Sequence, residues 1–137
     1  MQELIENESR AQEIRQLLGK TADTERIAAR ISTLRVGPRD MLALAGTLRQ
    51  IPTLRQQFEQ SQAKLLKDLA QRCDSMDELA HLLESAIEPN CPASLRDPGV
   101  IRNGFSAELD RLRSISRDGQ SWLRQYQKEQ SERTGIA

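Results

Sequence analysis

Residues 97–136 constrain the fold more than any other stretch of the chain. Leu109, Leu112, Ile115, Gly119, Trp122, Leu123 and Tyr126 recur every three or four positions, the spacing that gathers side chains into one stripe along an α-helix. Arg, Asp, Gln and Lys fill the positions between. Ser106 stands where an N-cap is needed, so the pattern predicts a helix from about Ser106 to Arg133, on the order of 40 Å long at the α-helical rise. Two turn signals, Pro98-Gly99 and Asn103-Gly104, bracket Val100 and Ile101 and predict a tight, locally determined turn ahead of the helix. The result is a strut that the rest of the chain serves.

Upstream, the same periodicity predicts shorter helices. Leu4, Ile5, Ala11, Ile14, Leu17 and Leu18 share a helical face over residues 3–18, with Gly19 as the left-handed residue that commonly follows a helix end. Asp23 or Thr24 caps the next helix, which carries Glu25 in its first turn and Ile27, Ile31 and Leu34 on one face, and Gly37 ends it. Pro38 suits the first position of a third helix, with Met41, Leu42, Ala45, Leu48 and Ile51 as its buried face and Pro52 as its stop. Within Pro38-Arg39-Asp40, Asp40 favours the positive helix start and Arg39 is available to a neighbouring helix, so the triplet reads as architecture.

Thr53–Phe58 and Ala63–Ala70 read as two short pieces broken at Ser61 and Gln62, carrying Leu54, Phe58, Leu65, Leu66 and Leu69. Ser75-Met-Asp-Glu78 has the form of a capping box that opens a helix through Leu79, Leu82, Leu83, Ala86 and Ile87. Pro89 and Pro92 end it, and residues 88–105 form the longest stretch without regular structure. No repeat or low-complexity segment appears.

Composition narrows the function. A chain of 137 residues suits one domain with a modest core. Only Phe58, Phe105, Trp122 and Tyr126 are aromatic, so the core is aliphatic, as in packed helices. Twenty basic and twenty acidic residues cancel, and neither half carries the basic excess of an autonomous nucleic-acid binder. Cys73 and Cys91 have no further Cys or His at metal-ligand spacing, so they read as reduced cytosolic thiols. There is no basic-then-apolar leader and no apolar run of 18 residues, which predicts a soluble, cytoplasmic chain.

The chemistry of known catalysts is missing. Gly19-Lys20-Thr21 lacks the glycine five residues earlier that a phosphate-binding loop needs, since position 14 is Ile. His81, the single histidine, has Asp77 and Glu84 a helical turn to either side, both expected to face solvent, and no nucleophile. Cys73, between Arg72 and Asp74, has no histidine near it in sequence. The pairs Asp77-Glu78 and Glu108-Asp110 fall in helical first turns, where the dipole explains them. On the last helix Arg111, Arg113, Arg117, Arg124, Lys128 and Arg133 outweigh Asp118, Glu129 and Glu132 by three charges. The six do not all share one face and read as the solvated surface of a strut.

The residues also carry a resemblance. Arg96-Asp97-x-Gly99-Val100-Ile101-Arg102-x-Gly104-Phe105, then Ala107-Glu108-Leu109-Asp110-x-Leu112-Arg113, then Glu132-Arg133-Thr134-Gly135-Ile136 resemble the core, or lever, domain of the MutS family of bacterial DNA mismatch-repair proteins. Glu25-Arg26-Ile27-Ala28-Ala29-Arg30-Ile31 and Arg35-Val36-Gly37-Pro38-Arg39-Asp40-Met41-Leu42-Ala43-Leu44 are similar to an earlier helix pair of that domain. Order and separation agree over about residues 10–136.

The resemblance implies an all-α fold, an irregular helical bundle with one long C-terminal lever helix at about 106–133. It also implies a single core/lever domain fragment over 1–137, ending where a DNA-gripping clamp would begin. In such proteins the levers join that clamp to ATPase domains. The expected role is therefore structural, with no catalysis by the fragment. Catalytic, cofactor-binding and metal residues are none here, ATP and magnesium belonging to the full-length family. Implied partners are mismatched duplex DNA through other domains, a second copy in a homodimer, and other mismatch-repair proteins, with no membrane. The lever's apolar stripe normally packs on a returning lever after the clamp, so Leu112, Ile115, Trp122, Leu123 and Tyr126 are expected to be partly exposed or covered by another copy. The alternative is a stand-alone helical adaptor that docks a partner's helix on the same stripe.

Overall fold

A computed structural model describes residues 7–134. The fold is all-α; the described residues form six helices and no strand beyond one isolated bridge. The helices are α1 (Glu8–Gly19), α2 (Thr24–Ser32), α3 (Pro38–Glu59), α4 (Lys64–Arg72), α5 (Asp77–Ala86) and α6 (Ala107–Thr134). They divide into two compact units, residues 7–102 and 103–134.

In the first unit α3 is the axis. Among the described helices every pair in contact includes it: α5, α4, α1 and α2 each pack on α3 and not on one another. Its length overturns one expectation. Pro52 was expected to end the helix, but α3 runs 22 residues through it to Glu59 and absorbs the predicted Thr53–Phe58 piece. Pro52 has no N–H for the Leu48 carbonyl. The helix continues because packing on its two sides of that point, at buried Leu48 and buried Leu54, outweighs the lost bond. Ser61, fully buried, marks the predicted break and accepts the Ala63 amide at 3.0 Å.

The central core comprises Ala45 of α3, Leu83 of α5, Ile87 and Cys91, with Met41, Leu42, Leu44 and Ala86 packed against it. Ala11 and Ile14 bury the inner face of α1 and Ile27 that of α2. Thr47 ties the α1–α2 connection to the axis: its buried hydroxyl donates to Ala43 O at 2.9 Å and accepts the Ala22 amide at 2.8 Å. Several leucines placed on helical faces by periodicity are exposed instead, among them Leu65, Leu69, Leu79 and Leu82. Each outer helix presents only a narrow stripe to one neighbour, and small residues such as Ala70 and Ala80 are what it buries there.

Helix ends differ from expectation in three places. Gly19 is the last residue of α1, not a left-handed cap, and Lys20 closes the turn in a right-handed conformation. The predicted partners Leu4 and Ile5 lie outside the described residues. Helix α2 starts as predicted, with Asp23 accepting the Arg26 amide at 3.0 Å, but ends at Ser32 rather than at Gly37. Leu34, with φ +54°, takes the left-handed position. The Leu34 amide donates to Ile31 O at 3.0 Å and the Arg35 amide to Arg30 O at 2.8 Å, the paired bonds of a Schellman motif. Leu34 is 92% exposed and Ile31 39%, so of the three predicted face residues only Ile27 is buried.

The third is Ser75, which does not cap α5. Its hydroxyl donates to Asp77 Oδ2 at 2.7 Å, Asp74 Oδ1 accepts the Met76 amide at 3.1 Å, and Met76, at φ +46°, precedes the helix. The Ser75 hydroxyl is thus engaged by Asp77, and Asp74 holds the turn at Met76, in place of a capping box.

After α5, Ile87 bridges antiparallel to Ile101. The Glu88 amide donates to Val100 O at 2.9 Å, the Arg102 amide to Ala86 O at 2.8 Å, and Arg102 Nε to Ile87 O at 3.0 Å. Val100–Ile101 is therefore not a purely local turn. It closes the irregular loop back onto the end of α5 and buries Val100.

Candidate interaction surface on the long helix

The second unit is built from its cap outward. Gly104, at φ +86°, turns the chain in a conformation that suits glycine, and its amide donates to Asp110 Oδ2 at 2.7 Å. Ser106 Oγ accepts the Leu109 amide at 3.3 Å, which makes it the predicted N-cap. Arg113 reaches back to Asn103 Oδ1 at 3.0 Å and to Asp110 at 3.4 Å. Glu108 and Asp110 thus occupy the first turn as expected, and Asp110 also locks the preceding loop.

From there α6 runs 28 residues, about 42 Å at the helical rise. Its predicted limits hold to within a residue, the Gly135-Ile136 end of the motif lying outside the described residues. The helix has no buried residue among those described. Leu112 is 54% exposed, Ile115 58%, Trp122 64%, Leu123 53% and Tyr126 48%. Trp122 and Tyr126 stack, their ring centroids 5.4 Å apart and their planes 12° from parallel. Residues 112, 115, 119, 122 and 126 alternate steps of three and four, the spacing of a helix-packing seam. Gly119 sits in that seam with open space where a Cβ would project.

Ion pairs join α2 and α5 to α3 in the first unit. Arg30 Nη1 donates to both oxygens of Asp40, at 2.9 and 2.7 Å, and the Gly37 amide donates to Asp40 Oδ2 at 3.2 Å. The Arg30 bond, then the Gly37 amide, hold the Asp40 carboxyl below the usual carboxylate range. Arg39, the other charge of the triplet, donates to Cys91 O at 3.4 Å.

Arg49 grips Glu84 through Nε at 3.2 and 3.1 Å and Nη2 at 2.7 Å. That bond lowers the Glu84 pKa and raises that of Arg49. Glu84, expected to face solvent, has a side chain 40% exposed and in addition joins α5 to α3 through Arg49. Beside it an open cleft of about 530 Å³ is lined by Leu42, Gly46, His81, Glu84, Ser85, Pro89 and Arg102. Ser85, the hydroxyl in its lining, donates to Leu82 O at 2.9 Å. His81 is exposed, Cys73 is half-buried and Cys91 buried, both as free thiols. Gly19-Lys20-Thr21 is a helix end, Thr21 Oγ1 donating to Leu18 O at 2.7 Å. No group of three metal-ligating side chains occurs among the described residues, and no described helix is long and apolar enough to cross a membrane.

The surface distinguishing this chain is thus the uncovered seam of α6. A sequence model described as MutS domain III matches residues 1–134. The chain belongs to the MutS domain III family. Its relatives include the DNA mismatch repair protein MutS of Rhodopirellula baltica, 39% identical over 135 residues, 98% of this chain and 15% of that protein. The protein of the same name from Methanothrix thermoacetophila is 38% identical, over 99% of this chain and 16% of its own length. That of Chlorobaculum parvum is 40% identical, over 100% and 16%. The chain therefore spans about one sixth of the relatives it matches. The two motifs that carry the resemblance map in this MutS domain III onto the α2–α3 corner and the turn into α6.

Proposed function

We propose that this chain is the core and lever segment of a MutS-type mismatch-repair protein, linking a DNA-gripping clamp to ATPase domains and performing no catalysis itself. One observation carries the reading: a 28-residue helix that exposes a regular seam and buries none of it. Such a helix is stabilised by packing along its length, and a helix so packed transmits displacement from one end to the other. On this reading the two units belong to one domain, 1–137, within a cytoplasmic protein. Mismatched duplex DNA, ATP and magnesium are handled by other domains, and a second copy and further mismatch-repair proteins are the partners. A free-standing adaptor would use the same seam, but it leaves the family match over residues 1–134 without a role.

The test places this chain in the Chlorobaculum parvum protein in exchange for the segment it matches. The exchanged protein should keep DNA-stimulated ATP hydrolysis. Gly119→Pro in that background should uncouple DNA from hydrolysis while DNA binding and basal hydrolysis survive. Undiminished stimulation in the proline variant would sink the lever reading.

A further inference from the structure

Two clefts of the first unit adjoin. The one beside Glu84, of about 530 Å³, and a second of about 420 Å³ that reaches Arg39, Asn90 and Cys91 share Leu42 and Pro89 in their walls. Together they make one groove between α3 and the end of α5, with Arg39 on one side of the shared pair and Arg102 on the other. Each arginine is held through Nε on a backbone carbonyl, Arg39 on Cys91 O at 3.4 Å and Arg102 on Ile87 O at 3.0 Å. Among the described residues no hydrogen bond or ion pair engages the Nη groups of either. Glu84 is the carboxylate of the lining, and both its oxygens already accept from Arg49.

Gly46 is a second, independent observation. It lies inside α3, where glycine is less stable than alanine, and a Cβ placed on it meets nothing within 4 Å. No neighbour in the fold therefore calls for glycine at this position, and the space left empty belongs to the groove. Bare helix backbone of this kind suits close approach by something from outside.

We infer that the groove binds an acidic peptide segment of another protein. An apolar side chain sits over Gly46 between Leu42 and Pro89, and carboxylates on either side of it meet Arg39 and Arg102. Alternate residues of an extended peptide share a face, so the pattern acidic-x-apolar-x-acidic presents all three groups at once. Its outer residues stand about 13 Å apart at the strand rise, against about 10 Å from residue 39 to residue 46 along α3, a difference within the reach of arginine side chains. A guanidinium fork matches the two oxygens of a carboxylate, and the apolar seat selects a peptide over a bare polyphosphate. The inference uses neither the α6 seam nor the coupling to ATP hydrolysis, so it and the lever reading can fail separately.

The measurement is anisotropy of the fluorescein-labelled peptide Ser-Gly-Glu-Ser-Leu-Ser-Glu-Gly-Ser titrated with the chain. Saturable binding is expected, weakened about tenfold when either Glu of the peptide becomes Gln and by about the same factor when its Leu becomes Ser. Arg39→Gln and Arg102→Gln should each cost about tenfold against the parent peptide and much less against the peptide with both Glu replaced by Gln. Gly46→Leu fills the groove. It should raise the urea midpoint, because leucine suits a helix better than glycine, while weakening binding about tenfold or more, a combination that damage to the fold does not produce. Arg15→Gln, on α1, should leave binding unchanged. The inference is overturned if the peptide does not bind, if its glutamine form binds as well, or if Gly46→Leu binds like the parent. A lower midpoint in Gly46→Leu would also overturn it, since the fold itself would then need the glycine. So would tighter binding of duplex DNA than of the peptide, lost in the same variants.

Discussion

Leu34 occupies a backbone conformation in which an L side chain costs about 1–2 kcal/mol, and at 92% exposure it recovers nothing by packing. Leu34→Gly should therefore raise the unfolding free energy by about 1 kcal/mol, read as a shift in urea midpoint at constant slope. This is also why the end of α2 was illegible in the sequence. The Schellman turn is usually announced by glycine; here leucine fills it, and the next glycine, Gly37, begins α3 instead. The start of the same helix was legible because Asp23 is both the expected residue type and the actual cap.

At Asp40 the folded pKa lies below its ordinary 3.8, owing first to Arg30 and then to the Gly37 amide. The unfolded chain binds its proton more readily, so this contribution is present above the ordinary carboxyl value and is lost as the pH falls through the folded value. A plot of stability against pH should decline on acidification below about pH 4, and Asp40→Asn should flatten that decline while lowering stability at neutral pH.

Among the elements, α3 shows where local rules give way to packing. A proline inside a helix reads as a stop because it removes a bond and crowds the preceding turn. That local signal carries no information about Leu54 beyond it, which is buried. Pro52→Ala should stabilise the chain by about 1–3 kcal/mol, since it relieves the local penalty and disturbs no buried side chain. An unchanged or lower midpoint in chemical denaturation would show that Pro52 is itself needed where it stands. The capping box predicted at Ser75 failed for a related reason: the sequence offers three competing acceptors, Asp74, Ser75 and Asp77, and spacing alone does not rank them. In α6 no such competition arises, and cap, length and seam were all legible.

Over the whole molecule, Trp122 is the single tryptophan and reports the state of the seam directly. In the chain alone its emission should be red-shifted and readily quenched, in keeping with 64% exposure; covering the seam should shift it to the blue. A blue, protected Trp122 in a dilute monomer would contradict the exposed seam. The first unit has another consequence in its hub arrangement, because α1, α2, α4 and α5 meet only through α3. Pairs of substitutions in two different outer helices should be additive in free energy, whereas pairs joining an outer helix to α3 should not. Genetically, each outer helix is insulated from its siblings: it can drift without asking them to change, and correlated change across the chain is concentrated in the partners of a single helix.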